Sequence, residues 1–172
     1  MTTNITDDAF WDTPIQEPVV PRVGRRSHAN RVAARVERLE TRGRARALQA
    51  LYAADLRDLT QLRRIATGVF DDLAVESEER VFASRLVATV ADKGVKLDAD
   101  LAKVTNNWRL ERLGVIERSV LRLAAAELDR EETPVKVVLQ EAVHLAERYG
   151  TQRSARFVNG VLDAYARMLG RL

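Results

Sequence analysis

Residues 132–163 read ETPVKVVLQEAVHLAERYGTQRSARFVNGVLD, and the punctuation of this stretch decides the fold. Thr133 is placed to cap a helix and Pro134 to take its first position, where a missing N–H costs nothing. Val138, Ala142, Leu145 and Tyr149 then recur at helical spacing until Gly150 supplies a left-handed stop. Ser154 is placed to cap the next helix, whose Phe157, Val158, Val161, Leu162, Tyr165 and Leu169 keep the same period. Two amphipathic helices joined by a short polar turn make a helical hairpin, and each needs further helices to cover its apolar face.

Working outward, the same period supplies those helices. A first core helix is expected over residues 41–59, burying Leu48, Leu51, Tyr52, Leu56 and Leu59. A second carries Leu62, Ile65, Ala66, Val69, Phe70 and Leu73, with Gly68 inside it as a sign of close packing or distortion. A third starts at Ser77, with Glu78 and Glu79 near the positive end of its dipole, and runs through Phe82, Leu86, Val87 and Val90. Gly94 ends or kinks it, and Leu97, Leu101, Val104 and Trp108 continue on a fourth. A fifth covers 115–130. The fold class expected is all-α: a compact bundle of about seven helices over 41–172, behind a largely irregular extension over 1–40 with prolines at 14, 18 and 21.

Composition narrows the chemistry. The 172 residues include no cysteine, which excludes disulfides, thiolate zinc sites and cysteine nucleophiles. No apolar run approaches the roughly 20 residues of a bilayer span, and a cytoplasmic location is expected. His28 lies in a basic segment, and His144 shares a helix face with Glu141 and Arg148, which reads as a surface histidine. The glycines are scattered through helical text, so no phosphate loop forms. Neither catalysis, nor a metal, nor a cofactor is expected. Net charge is only +3, but its placement is uneven. Residues 1–21 hold Asp7, Asp8, Asp12 and Glu17 and no Lys or Arg; residues 22–46 hold nine arginines against Glu37 and Glu40. Such a block reads either as a polyanion-binding arm or as a solvated tail.

Three blocks go further. Arg42-Gly43-Arg44-Ala45-Arg46-Ala47-Leu48-Gln49-Ala50-Leu51-Tyr52, the central run from Asn107-Trp108-Arg109-Leu110-Glu111-Arg112-Leu113 to Glu127-Leu128, and the hairpin quoted above stand in order along the chain. Together they resemble the NusB family of bacterial transcription antitermination factors. The resemblance implies binding of boxA-type single-stranded leader RNA together with NusE, the ribosomal small-subunit protein that doubles as an elongation factor. It also implies indirect engagement of the RNA polymerase elongation complex, in support of ribosomal RNA operons. Its RNA face carries over to Arg44, Gln49 and Tyr52 on the first helix and to Gln152, Arg153, Ser154 and Phe157 at the second patch; Arg42 and Arg46 beside the first and Arg156 beside the second join the expected face by their charge. Arginine suits phosphate, and aromatic rings suit unstacked bases, although core packing is an equal reading for Tyr52 and Phe157. The partner face is placed around Trp108 to Arg122. Within that block Arg122 and Glu127 read as ties between helices, and Asn159 beside Gly160 as a packing device. Two other expectations remain open: an RNA-binding module acting beside a separate rRNA-modifying enzyme, and a homodimeric bundle that binds no RNA.

The arginines at 22–38 are expected to add non-specific phosphate contacts. Each phosphate neutralised on a single strand contributes about 0.7 to the logarithmic salt slope of binding. Deleting residues 1–38 therefore flattens that slope in an RNA titration; an unchanged slope refutes the role of the arm.

Overall fold

Helices form where the apolar residues recur at 3.6 spacing, and the described residues hold little else. A computed structural model describes residues 38–105 and 109–172. The expected extension up to residue 37, and Trp108, lie outside the described residues. Six α-helices follow in order: α1 Leu39–Asp55, α2 Leu62–Asp72, α3 Ser77–Val104, α4 Val115–Arg130, α5 Val135–Tyr149 and α6 Ser154–Met168. Short 3-10 turns at Leu59–Gln61 and Leu110–Arg112 join α1 to α2 and lead into α4. No strand occurs among the described residues, so the all-α expectation holds.

The count is six rather than about seven because Gly94 does not interrupt its helix. Leu86, Val90, Leu97 and Leu101 stay buried in one continuous register across it, and that packing outweighs a glycine penalty of about 1 kcal/mol. Helix α1 is shorter than expected: it ends at Asp55, Leu56 is exposed and Leu59 falls in the 3-10 turn. Asp58 organises that turn by accepting from the Thr60 N–H at 2.9 Å. Leu73, expected on the core stripe of α2, lies just past the helix and is exposed.

Helix α4 is the hub, packed by α1, α3, α5 and α6. Its Val120, Leu121, Leu123, Ala124 and Leu128 are buried, and the interior around them is mostly leucine, valine and alanine with Phe70 and Tyr165. Two glycines owe their place to close approach. A Cβ on Gly43 would stand 2.7 Å from Phe82 Cδ1, so α1 and α3 meet closely there. Gly150 is extended rather than left-handed, at φ −99° and ψ −157°; a Cβ on it would strike the Ala146 carbonyl oxygen at 2.7 Å. Gly68 and Gly160 have open space instead, and Asn159 is exposed, so the packing roles read for them do not hold. The expected caps differ as well. Thr133 Oγ1 donates to Glu127 Oε1 at 2.8 Å instead of capping α5, and Ser154 is the first residue of α6 rather than its cap.

Glycine substitutions should separate these cases by sign in urea denaturation. Gly43→Ala overpacks the α1–α3 contact and destabilises by about 1–3 kcal/mol. Gly94→Ala meets nothing within 4 Å in mid-helix and stabilises by about 1 kcal/mol.

Candidate nucleic-acid interface

The spacing of α1 sorts its charged residues into two groups. Arg44 is one turn before Leu48 and two before Leu51, in register with the buried stripe. Arg42, Arg46, Gln49 and Tyr52 fall on the opposite face. Arg44 is accordingly 4% exposed, with Nε donating to Glu127 Oε2 at 2.8 Å and Nη2 to Glu127 Oε1. Glu141 of α5 lies 3.6 Å from Arg44 Nη1 and accepts from Thr41 Oγ1 at 3.0 Å. The Phe82 ring lies under the guanidinium, 5.2 Å from its centroid. Burial alone would lower the Arg44 pKa, but the Glu127 hydrogen bonds and charge, with Glu141 and Glu40, raise it overall. Arg44 is therefore a structural cation and not a surface one, which corrects its assignment to the RNA face.

Helix α4 collects further ties along its length. Arg118 donates to Asp55, the last residue of α1, through Nε at 3.0 Å and through Nη2, and to the Leu113 carbonyl oxygen at 2.8 Å. Arg122 donates to Asp55 at 2.9 Å and, through Nε and Nη2, to Asp98 of α3 at 2.8 Å each. The reading of Arg122 and Glu127 as helix ties is what the structure shows, and it removes Arg118 and Arg122 from any open partner face. Because Asp55 meets Arg118 while Arg44 meets Glu127, α1 runs antiparallel to α4.

At the start of α4, Glu117 accepts from Ser154 Oγ, the first residue of α6. Ser154 Oγ also accepts from the Thr151 N–H at 2.7 Å, so this buried hydroxyl holds the α5–α6 turn and is not a surface contact. Glu117 and Arg118 are consecutive, so the turn and the Asp55 end of α1 arrive at the same end of the bundle. Tyr52 is one turn before Asp55 and is 40% exposed. Gln152, Arg153 and Arg156 are exposed, and Phe157 is half-buried. Phe157 and Arg153 line a cleft of about 340 Å³ with Arg112, Leu113, Gly114 and Glu117. No ion pair among the described residues engages Arg112, Arg153 or Arg156. Arg42 and Arg46 lie toward the other end of α1, both against Glu79 of α3. From Arg42 to Tyr52 the helix rises about 15 Å at 1.5 Å per residue.

The ten expected site residues thus divide. Arg44 and Ser154 are inside. Arg42, Arg46, Gln49 and Tyr52 form a stripe along α1, Arg153 and Phe157 line the cleft, and Gln152 and Arg156 are exposed beside them in sequence. Sequence reasoning missed Arg112 as a member of the second group; its place in a 3-10 turn, outside any helical period, gave no signal. Among the described residues no cluster of three or more His, Asp or Glu is arranged to hold a metal, and no helix is long and apolar enough to cross a membrane.

The Asp55 network has a pH signature. Burial pushes the Asp55 carboxyl up, but hydrogen bonds and charge from Arg118 and Arg122 outweigh it and hold the group below its ordinary value. The native chain then binds fewer protons than the unfolded one, so this contribution is complete above about pH 4, the ordinary Asp range, and is lost as pH falls through the lower native value. Asp55→Asn should cost about 3 kcal/mol at neutral pH and flatten the decline of stability with acid. Melting curves from pH 7 to pH 2.5 check this; parallel acid limbs for the two proteins contradict it.

Comparison with known proteins agrees with this arrangement. The model of the NusB family matches residues 41–167. The transcription antitermination protein NusB of Sorangium cellulosum is 44% identical over 131 residues, which cover 76% of this chain and 93% of that protein. The solved structure of T. maritima NusB aligns with a TM-score of 0.69 at 32% identity, covering 74% of this chain and 90% of that one. A chain in the crystal structure of the antitermination factors NusB and NusE in complex with double-stranded RNA aligns with a TM-score of 0.69 at 28% identity, covering 77% and 98%.

Proposed function

Because the chain belongs to the NusB family of transcription antitermination proteins, we propose that it binds boxA-type single-stranded leader RNA together with NusE and so supports transcription of ribosomal RNA operons in the cytoplasm. The observation that carries the reading is the pairing, at one end of the bundle, of an exposed Tyr52 with a cleft bearing Phe157 and Arg112 and Arg153, which meet no carboxylate among the described residues. Single-stranded RNA is held by cations on its phosphates and flat groups under its bases, and this end offers both. A neighbour solved as a NusB–NusE complex with double-stranded RNA supports RNA and NusE as the partner classes. Binding is the whole of the action proposed: the arginines hold phosphates, the rings stack on bases, and the partner docks elsewhere to carry the assembly to RNA polymerase.

For the partner we assign the broad cleft of about 610 Å³ between α3 and the second 3-10 turn, with Asp98, Ala99 and Ala102 on the α3 side and Arg109, Leu110, Glu111 and Arg112 on the other. Small side chains on one wall and charges of both signs on the other suit a protein surface better than a strand of phosphates. Arg112 borders both clefts, which supports RNA and partner lying side by side.

Fluorescence anisotropy of a labelled boxA-like RNA and a scrambled control, with and without NusE, tests the proposal. Selective binding that tightens when NusE is added is expected, and Arg153→Gln combined with Tyr52→Ala should weaken it by tenfold or more, since one stacked base contributes about 1–3 kcal/mol. Equal binding to both RNAs, indifferent to NusE and abolished by modest salt, overturns it.

A further inference from the structure

Glu79 occupies a core position of α3, in register with Phe82, Ala83 and Leu86, and carries a charge there. It is 3% exposed, and both of its carboxylate oxygens meet α1. Arg46 Nε donates to Oε1 at 2.6 Å, while Arg42 Nε lies 3.2 Å from Oε2 without hydrogen-bond alignment. The second half of the contact is therefore Coulombic and the looser of the two. The two arginine side chains lie one turn apart and keep 40% and 32% of their surface in solvent. Arg46 is tethered again through Nη1 to Gln49 Oε1 at 3.2 Å. One buried carboxylate thus serves two guanidiniums, leaving a local charge of +1 and several N–H donors on the open side.

We propose that Glu79 is a specificity-determining positioning residue of the RNA face: it holds Arg42 and Arg46 from behind, fixing where two neighbouring phosphates must lie. The inference rests on the RNA-binding reading above. Phosphate contacts carry no sequence information themselves, but they set the register in which bases meet their readers. Two long cations free to sweep the surface engage any strand. The same cations pinned on one carboxylate favour the strand whose phosphates fall on them while its bases fall on Tyr52 and the Phe157 cleft. A stability role alone needs less: Arg44 shows how this bundle pairs a buried glutamate with one buried arginine, whereas Glu79 is divided between two that remain a third or more exposed.

The test is anisotropy of the full chain with labelled boxA-like and scrambled RNA across salt, wild type against Glu79→Gln, with a melting curve for each variant. Glu79→Gln should bind scrambled RNA about fivefold tighter, the scale of a partly exposed ion pair, and lose a similar factor in selectivity. Its logarithmic salt slope should steepen by about 0.7, the increment for one more phosphate on a single strand. In an Arg42→Gln/Arg46→Gln background the same change should move neither quantity. Where Glu79→Gln melts below the assay temperature, Arg46→Gln decides. With Arg46 gone, Glu79 neutralises Arg42 alone and the local charge falls from +1 to zero, so the slope should flatten by about 0.7 and adding Arg42→Gln should flatten it no further, whereas two independent arginines would each take about 0.7. A wild-type protein that discriminates between the RNAs while Glu79→Gln changes neither slope nor selectivity overturns the proposal, as does an equal effect in the double-arginine background. Failure of the wild type to bind either RNA overturns the RNA reading itself.

Discussion

A guanidinium taken out of water has to meet carboxylates in hydrogen-bonding geometry, or the helix that carries it cannot dock. Arg44 sets that condition for this bundle. Its pair with Glu127 joins α1 to α4, Thr133 adds a third donor to the same carboxylate, and Glu141 with Thr41 ties in α5. Removing one partner from such a pair leaves the other charge buried, at a cost of about 3–5 kcal/mol, comparable to the net stability of a small domain. The apolar interior would accept many packings of similar area. The ion pair, together with Asp55 on Arg118 and Arg122 near the opposite end of α1, accepts one axial register and one direction for α1 against α4.

That register determines which residues reach the surface. With α1 antiparallel to α4, its C-terminal end arrives beside the Glu117–Ser154 contact, and so beside the start of α6. Tyr52 and the α5–α6 turn share an end of the molecule for this reason, although about 100 residues separate them in sequence. The charges divide by the same logic. Arginines that meet buried carboxylates hold helices together; those that meet no carboxylate among the described residues, at 112, 153 and 156, are the ones proposed for a polyanion. Arg42 and Arg46 are intermediate, partly neutralised by Glu79 and partly exposed, and the proposed role of Glu79 rests on that division.

Much of this was legible in the sequence. The apolar period located each of the described helices, though it divided α3 in two and overran the end of α1, and the family resemblance rested on blocks that the fold brings around α4. The errors have identifiable physical causes. The intrinsic cost of Gly94 points to a break, but Val90 and Leu97, two turns apart on one buried stripe, show that packing carries the helix across it. Thr133 and Ser154 were read as local caps, whereas both hydroxyls are engaged by glutamates of α4, a tertiary demand that no local rule contains. Arg44 was read as a surface cation from its neighbours Arg42 and Arg46. Its spacing to Leu48 and Leu51 was the better signal, and Glu79 and Glu127 sit on core stripes in the same way. A charged residue in register with leucines announces a buried partner somewhere else in the chain. The cleft residues gave the weakest signal, because Arg112 lies in a 3-10 turn and Arg153 in a loop, where no period applies.

The central claim is this division of the arginines into those that hold the bundle and those that face RNA. Arginine side-chain Nε–Hε resonances, followed while boxA-like RNA is titrated into the isotopically labelled protein, test it directly. The account predicts shifts for Arg112, Arg153 and Arg156, and for Arg42 and Arg46, while Arg44, Arg118 and Arg122 stay in place throughout. Movement of Arg44 with an unmoved Arg153 and Arg156 would contradict it.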